Sequence, residues 1–315
     1  MTYDPDAFDR ELKKRLDDMH PSIRQQFLRE IVYEQIIVSV PASVAYLQGG
    51  AGVRYQLEFS AQTKDVDMLI REEVAAETNL LSMGSEDRKR YLIGYMRKLI
   101  EARKPDYCML RVVGARSFED VRTNELVAQL VLEAEVVLQK LQHTVELDFG
   151  VQSHPVMVRQ IPSRQLLSFA GLENPPISVL SPEELTAIKI CVYLENHHRP
   201  ERFRAQDIAH AAALISNHSF DNHIFAQALA FNAAERDIVH KLLLPMPTPN
   251  LPQSRSLWQF EDLAKECKIP TDLNLAIKIL FKSYNLVNNQ AYQLALELRE
   301  QMKAHGSNSA EQASK

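Results

Sequence analysis

The sequence has little of what would staple a chain together or anchor it. Only three cysteines occur in 315 residues, Cys108, Cys191 and Cys267. They are far apart and odd in number, which excludes a disulfide framework and offers no zinc-ligand spacing. No apolar run approaches the roughly 18–20 residues that span a bilayer. The opening segment, MTYDPDAFDRELKKRL, is charged and has no apolar signal core, so a reducing cytoplasm is the expected location and a membrane is not. Neither sign of charge dominates: 36 Lys and Arg stand against 41 Asp and Glu, a net charge of −5. That argues against a globally basic nucleic-acid binder but leaves room for a local basic cluster. There is no internal repeat. What is present, 45% apolar and 24% charged residues, is the composition of a folded globular chain. Its length suffices for two domains or one large one.

Periodicity divides the chain in two. Residues 6–18 and 21–39 read as helices, the second with Pro21 near its start. ASVAYLQGG (42–50) reads as a short strand ended by glycines, AGVRYQLEF as a helix, and DVDMLI (65–70) as the next strand. Residues 86–103 have helical periodicity and many charges, and YCMLRVV (107–113) is strand-like. Residues 126–150 fit either a hairpin ending in TVELDFG or a helix in their first half. VMVRQIP (156–162) offers one more strand. Beyond residue 163 helices dominate, broken by LPMPTPNLPQS (244–254), and the polar tail HGSNSAEQASK reads as disordered.

Within DVDMLI, residues i and i+2 of a strand share a face, so Asp65 and Asp67 project together while Val66 and Met68 face the other side. Two close carboxylates repel unless a cation lies between them, and Mg²⁺ prefers oxygen ligands. The plain alternative is a strand end with two solvated carboxylates. TVELDFG (144–150) repeats the pattern, with Glu146 and Asp148 on one face and Val145, Leu147 and Phe149 on the other. Two such strands could supply three carboxylates to a metal; equally, the second could be an amphipathic edge. Gly49 and Gly50, leading into a helix, would expose backbone N–H groups that attract phosphate, or simply make a tight turn.

LQGGAGVRYQLEF…TKDVDMLI resembles the first motif of the nucleotidyltransferase superfamily with the polymerase-beta-like fold. Its GG…(S/T)xDxD form is similar to the abortive-infection AbiEii/AbiGii-type toxins and the mycobacterial nucleotidyltransferase toxins. The resemblance implies that Asp65 and Asp67 bind metal, that Asp148 is the third carboxylate with Glu146 as the less favoured occupant, and that Gly49, Gly50 and Thr63 belong to the nucleotide site.

SPEELTAIKICVYLEN (181–196) is an independent motif. Ser181 with Glu184 forms a capping box, and Pro182 sits at the first helical position. Lys189 falls on the apolar face between Leu185 and Tyr193, where an ammonium is costly unless it reaches water or an anion. A lysine snorkelling at the edge of the stripe would satisfy the pattern equally well. The stretch also resembles the toxins' second signature, S-x-E-E-L-x-A-x-K, which implies that Lys189 contacts nucleotide phosphates. RPERFRAQDIAHAAALI (199–215) is similar to the family's R…D-x-x-D-L segment: Asp207 matches its first acid, whereas His210 replaces a usual Asp and Gln206 a common Lys or Asp.

Other side chains weigh less. His197, His198 and His210 are poorly disposed to share a metal, because adjacent helical residues point about 100° apart. Arg199, Arg202 and Arg204 could clamp a triphosphate or an RNA backbone, or form a solvated loop. Arg54 and Arg71 are further candidates for the same groove. Trp258 suits a core better than a base-stacking platform, and no cysteine has a setting that would make it a nucleophile.

The expected architecture is α+β: a polymerase-beta-like nucleotidyltransferase domain over 1–162 (a mixed sheet flanked by helices), a helical domain over 163–304 carrying Lys189 and Asp207, and a disordered tail over 305–315. The resemblance implies a Mg²⁺-dependent enzyme, with two ions, that moves a nucleoside monophosphate from an NTP to tRNA or another RNA. It would be the toxin of a toxin–antitoxin or abortive-infection system with a cognate antitoxin. Asp65, Asp67, Asp148, Lys189 and Asp207 would be catalytic, and Gly49, Gly50, Thr63, Lys189 and Arg204 would bind nucleotide. The alternatives are a small-molecule nucleotidyltransferase of the aminoglycoside-modifying kind and a non-catalytic binding protein that keeps the fold.

Overall fold

The computed structural model describes residues 5–57, 65–80, 83–103, 108–119, 126–136, 141–151, 154–171, 173–196, 205–247 and 255–313. Two helices open the chain, α1 (Pro5–Asp17) and α2 (Pro21–Ser39), each beginning on a proline, whose fixed φ and missing N–H suit a first helical turn. β1 (Ala45–Gln48), α3 (Gly49–Gln56), β2 (Asp65–Ile70), α4 (Glu72–Glu77) and α5 (Ser85–Arg103) follow. Next come β3 (Cys108–Glu119), β4 (Leu126–Val136), β5 (Leu141–Val151), β6 (Val158–Ile161) and β7 (Ile177–Leu180). The chain ends in helices: α6 (Pro182–Asn196), α7 (Ala205–Asn217), α8 (Asn222–Glu235), α9 (Arg255–Glu266) and α10 (Leu273–Ala313).

The chain forms two compact units, residues 1–52 with 63–179, and residues 53–62 with 180–315. The first holds a seven-stranded mixed sheet in the order β3-β4-β5-β2-β1-β7-β6. β3, β4 and β5 are a continuous antiparallel run, so the hairpin reading of 126–150 is the one the chain adopts. β5 then lies parallel to β2, and β2 antiparallel to β1. α2 and α5 pack on the β3–β5 side of the sheet. α5 buries Leu92, Met96 and Ile100, spaced one turn apart, and β5 buries Val145, Leu147 and Phe149. Complete burial of each such side chain contributes about 1.5–3 kcal/mol.

β7 is a strand that the sequence reading, in which helices dominate beyond residue 163, did not pick out. All four of its residues are buried, so the segment has no alternation to mark it as a strand, and its pairing with β1 through Leu47↔Val179 is long-range. The sheet therefore reaches past the expected boundary at 162. α10 also differs, continuing as helix through residues 305–313 where the polar composition suggested disorder. The continuation crosses Gly306, Ser307, Asn308 and Ser309, all poor helix formers, so it draws on the helix already nucleated before it.

The second unit is helical. α7 and α8 bury Ala209, Ala211, Ala212 and Ala213, and Ala226, Ala228 and Ala230, small side chains that let α6, α7, α8 and α10 approach closely. Asp221 caps α8 by accepting hydrogen bonds from His223 N at 2.8 Å and Ile224 N at 3.2 Å. Tyr284 of α10 is fully buried and donates its hydroxyl to Leu242 O at 2.9 Å.

Candidate active site

Along β2 exposure alternates: Asp65, Asp67 and Leu69 are half-buried, whereas Val66, Met68 and Ile70 are buried. β5 repeats this, with Glu146 and Asp148 half-buried between fully buried Val145, Leu147 and Phe149. The register between these parallel neighbours pairs Asp65 with Glu146 and Asp67 with Asp148. On the other side β1 sets Gln48 opposite Asp67. One row across the sheet thus reads Gln48, Asp67, Asp148, and the adjacent row holds Asp65 and Glu146. Adjacent strands lie about 4.8 Å apart, so the carboxylates of Asp67 and Asp148 are close neighbours of like charge.

Gly49 follows Gln48 with φ at +62°, a conformation L side chains rarely adopt. A Cβ there would lie 1.8 Å from Asp67 Oδ2 and 2.5 Å from its Cγ. Asp67 therefore leans over the first residue of α3, where helical N–H groups are unsatisfied and the dipole favours negative charge. Admitting Asp67 is the direct reason for glycine at this position. Gly50 follows it in the first turn of the same helix.

Among the described residues, no three His, Cys, Asp or Glu side chains converge as a ready-made metal cage. The donors present are nevertheless those of a hard divalent cation. Mg²⁺ commonly takes one or two carboxylates, keeps water, and completes its shell with substrate phosphates. Asp67 and Asp148, in register and all-oxygen, fit such an ion, and Asp65 stands one row behind.

In the second unit the capping read at Ser181 is formed: its Oγ accepts a hydrogen bond from Glu184 N at 3.3 Å. α6, fixed at that end, carries Lys189, whose Nζ lies 2.9 Å from Asp207 Oδ1 of α7. Both are buried, with 5% of Lys189 and 1% of Asp207 exposed, so the lysine does not snorkel to solvent. It meets an anion instead, and neither charge would be tolerable there without the other. His210, one turn beyond Asp207, is also buried. The structure thus gathers Gly49, Gly50, Asp65, Asp67 and Asp148 in one unit, and Lys189 with Asp207 in the other.

Thr63 and Arg204 lie outside the described residues, as do Arg199, Arg202, His197 and His198. Trp258 is on α9, its side chain likewise outside the description. Arg71 has structural duties: its Nη1 donates to Ala42 O at 2.9 Å, and its guanidinium lies 4.6 Å from the centre of the Tyr46 ring. Arg54 is buried in α3. Burial pushes the thiols of Cys191 and Cys267 up to about 12, which keeps them protonated and unreactive at neutral pH. Gln48 escaped the reading of the sequence, because only the β1–β2 register puts it beside Asp67.

A mixed sheet flanked by helices, with paired carboxylates on adjacent strands and a glycine turn beside them, followed by a helical region, is the fold of a nucleotidyltransferase. The model of the nucleotidyl transferase AbiEii toxin family, a type IV toxin–antitoxin system, matches residues 30–281, and the chain belongs to that family. Among solved structures it is similar to MenT4, a nucleotidyltransferase toxin from Mycobacterium tuberculosis H37Rv. Identity there is 11% and the TM-score 0.48, over 93% of this chain and 99% of that one. It is also similar to JHP933 from Helicobacter pylori, at 13% identity and a TM-score of 0.47, over 88% of this chain and 98% of that one. No curated protein sequence matches. No helix among the described residues is long and apolar enough to cross a membrane.

Proposed function

We propose that the chain is a Mg²⁺-dependent nucleotidyltransferase that moves a nucleoside monophosphate from an NTP to a hydroxyl of an RNA acceptor, tRNA foremost. Its physiological role would be that of a toxin restrained by a cognate antitoxin. The observation that carries the reading is the Asp67–Asp148 register beside the Gly49 turn.

Asp65, Asp67 and Asp148 would hold the divalent ions. When bound, a pair of Mg²⁺ ions supplies Lewis-acid neutralisation of the attacking and leaving oxygens of an in-line displacement. The acceptor oxygen attacks the α-phosphorus, the bond to the bridging oxygen of the β-phosphate breaks, and pyrophosphate departs. Asp148 takes the acceptor's proton and returns it to water. Backbone N–H groups at Gly49 and Gly50 would meet phosphate, with Thr63 and Arg204 as further nucleotide contacts. The family motif assigns Lys189 to triphosphate charge. Because Asp207 already holds its ammonium, that role makes Asp207 the residue that holds Lys189 in place.

The test is incubation of the purified chain with each α-labelled NTP, Mg²⁺ and total tRNA, beside Asp67→Ala. Label in RNA with the wild type alone supports the reading. Label in a small molecule instead would move the assignment to that acceptor class. No transfer to RNA, protein or small molecule would leave a non-catalytic binding protein.

A further inference from the structure

We propose that Gln48 is a nucleotide-contacting residue, its carboxamide N–H donating to a phosphate oxygen of the bound nucleoside triphosphate beside Asp67. The inference rests on the nucleotidyltransferase reading and adds a contact to that site. Gln48 is the last residue of β1. The three before it, Ala45, Tyr46 and Leu47, are buried, whereas Gln48 is half-buried. Its antiparallel partner is Asp67, and directly opposed residues put their side chains on the same face with Cβ atoms about 4.5–5.5 Å apart. The next residue in the chain, Gly49, is the one over which Asp67 leans. Gln48 therefore borders the carboxylate row at its β1 end, where α3 begins.

Its carboxamide has no hydrogen-bond partner among the described residues, although two donors and an acceptor are available there. The chemistry of the row explains why a carboxamide suits the position. A triphosphate approaching Asp67 and Asp148 brings negative charge toward negative charge and needs donors close by. A lysine would pair with Asp67 and compete with the cation for it, and an acid would add to the repulsion. A glutamine donates without charge, so it can meet phosphate and leave the carboxylates to the metal.

The test uses the full chain with Mg²⁺ and α,β-methylene analogues of the four NTPs, titrated calorimetrically into wild type, Gln48→Leu and Gln48→Glu. Leucine keeps much of the volume, and glutamate keeps the shape but removes the donor and adds charge. Loss of one hydrogen bond to a charged group predicts about tenfold weaker analogue binding for Gln48→Leu, and a larger loss for Gln48→Glu. In Gln48→Leu, Mg²⁺ binding without nucleotide should be unchanged, and KM for the NTP should rise with little change in kcat, which a merely structural defect would not reproduce. Wild-type affinity for the analogue in a folded Gln48→Leu or Gln48→Glu overturns the proposal and leaves the nucleotidyltransferase reading standing. Failure of the wild type to bind any of the analogues overturns both.

Discussion

Asp67 and Gly49 share one volume: a Cβ on Gly49 would lie 1.8 Å from Asp67 Oδ2. The glycine turn and the aspartate of the strand are thus a single device, in which the missing side chain lets a carboxylate rest at the start of a helix. Gly49→Ala must both strain a backbone at φ +62° and displace Asp67. The left-handed conformation alone costs about 1–2 kcal/mol. Urea midpoints should fall accordingly, and Mg²⁺ affinity should fall with them. Unchanged Mg²⁺ affinity would mean that Asp67 is not a ligand.

Carboxylates in register on neighbouring strands bring like charges close together. Asp148→Asn should therefore be slightly more stable than the wild type in EDTA, by up to about 1 kcal/mol, read as a small rise in Tm. Saturating Mg²⁺ should reverse the order, because binding to the native state stabilises only the protein with an intact site. A variant less stable than the wild type in EDTA would contradict the repulsion.

Lys189 and Asp207 form a buried pair at 2.9 Å. Removing one partner, by Lys189→Met or Asp207→Leu, leaves the other charge buried alone and should cost about 3–5 kcal/mol. The double substitution should recover much of that loss in chemical denaturation, while nucleotidyl transfer stays absent. Additive losses would show that the two charges do not depend on each other.

Glu34 is fully buried, and its carboxylate accepts hydrogen bonds from Gln165 N at 3.1 Å and Leu166 N at 3.2 Å. Burial pushes its carboxyl above the ordinary 4.5, outweighing hydrogen bonds that pull it down. The folded state then holds the proton more tightly than the unfolded one. The stability this confers is complete below the ordinary carboxylate value and is lost as pH rises through the raised one. Urea midpoints of wild type should decline relative to Glu34→Gln across that window. A constant or rising difference would contradict it.

Several elements in both units were legible because their signals are local. The alternation of DVDMLI placed Asp65 and Asp67 on one face, and the structure keeps them there. Ser181 and Pro182 marked the start of α6 to the residue. What stayed hidden depends on pairing between distant segments. Whether Asp148 or Glu146 stands beside Asp67 is a question of register, and a one-residue shift would change every partner. β7 went unread because four buried residues carry no period. Nothing local sets Gln48 apart; only the pairing of β1 with β2 puts it opposite Asp67. The partner of Lys189 lies on another helix, so the apolar face could state the cost of its charge but not how Asp207 offsets it.

The most direct test of the account compares nucleotidyl transfer to tRNA by Asp148→Asn and Glu146→Gln, using α-labelled NTP and Mg²⁺. Asp148 is in register with Asp67, whereas Glu146 faces Asp65 one row away. Transfer should fall by a factor of roughly a hundred or more in Asp148→Asn, the scale for losing a ligand or base that acts on the reacting atoms. Glu146→Gln should keep most of it. Retained transfer in Asp148→Asn, or its loss in Glu146→Gln alone, would contradict the assignment.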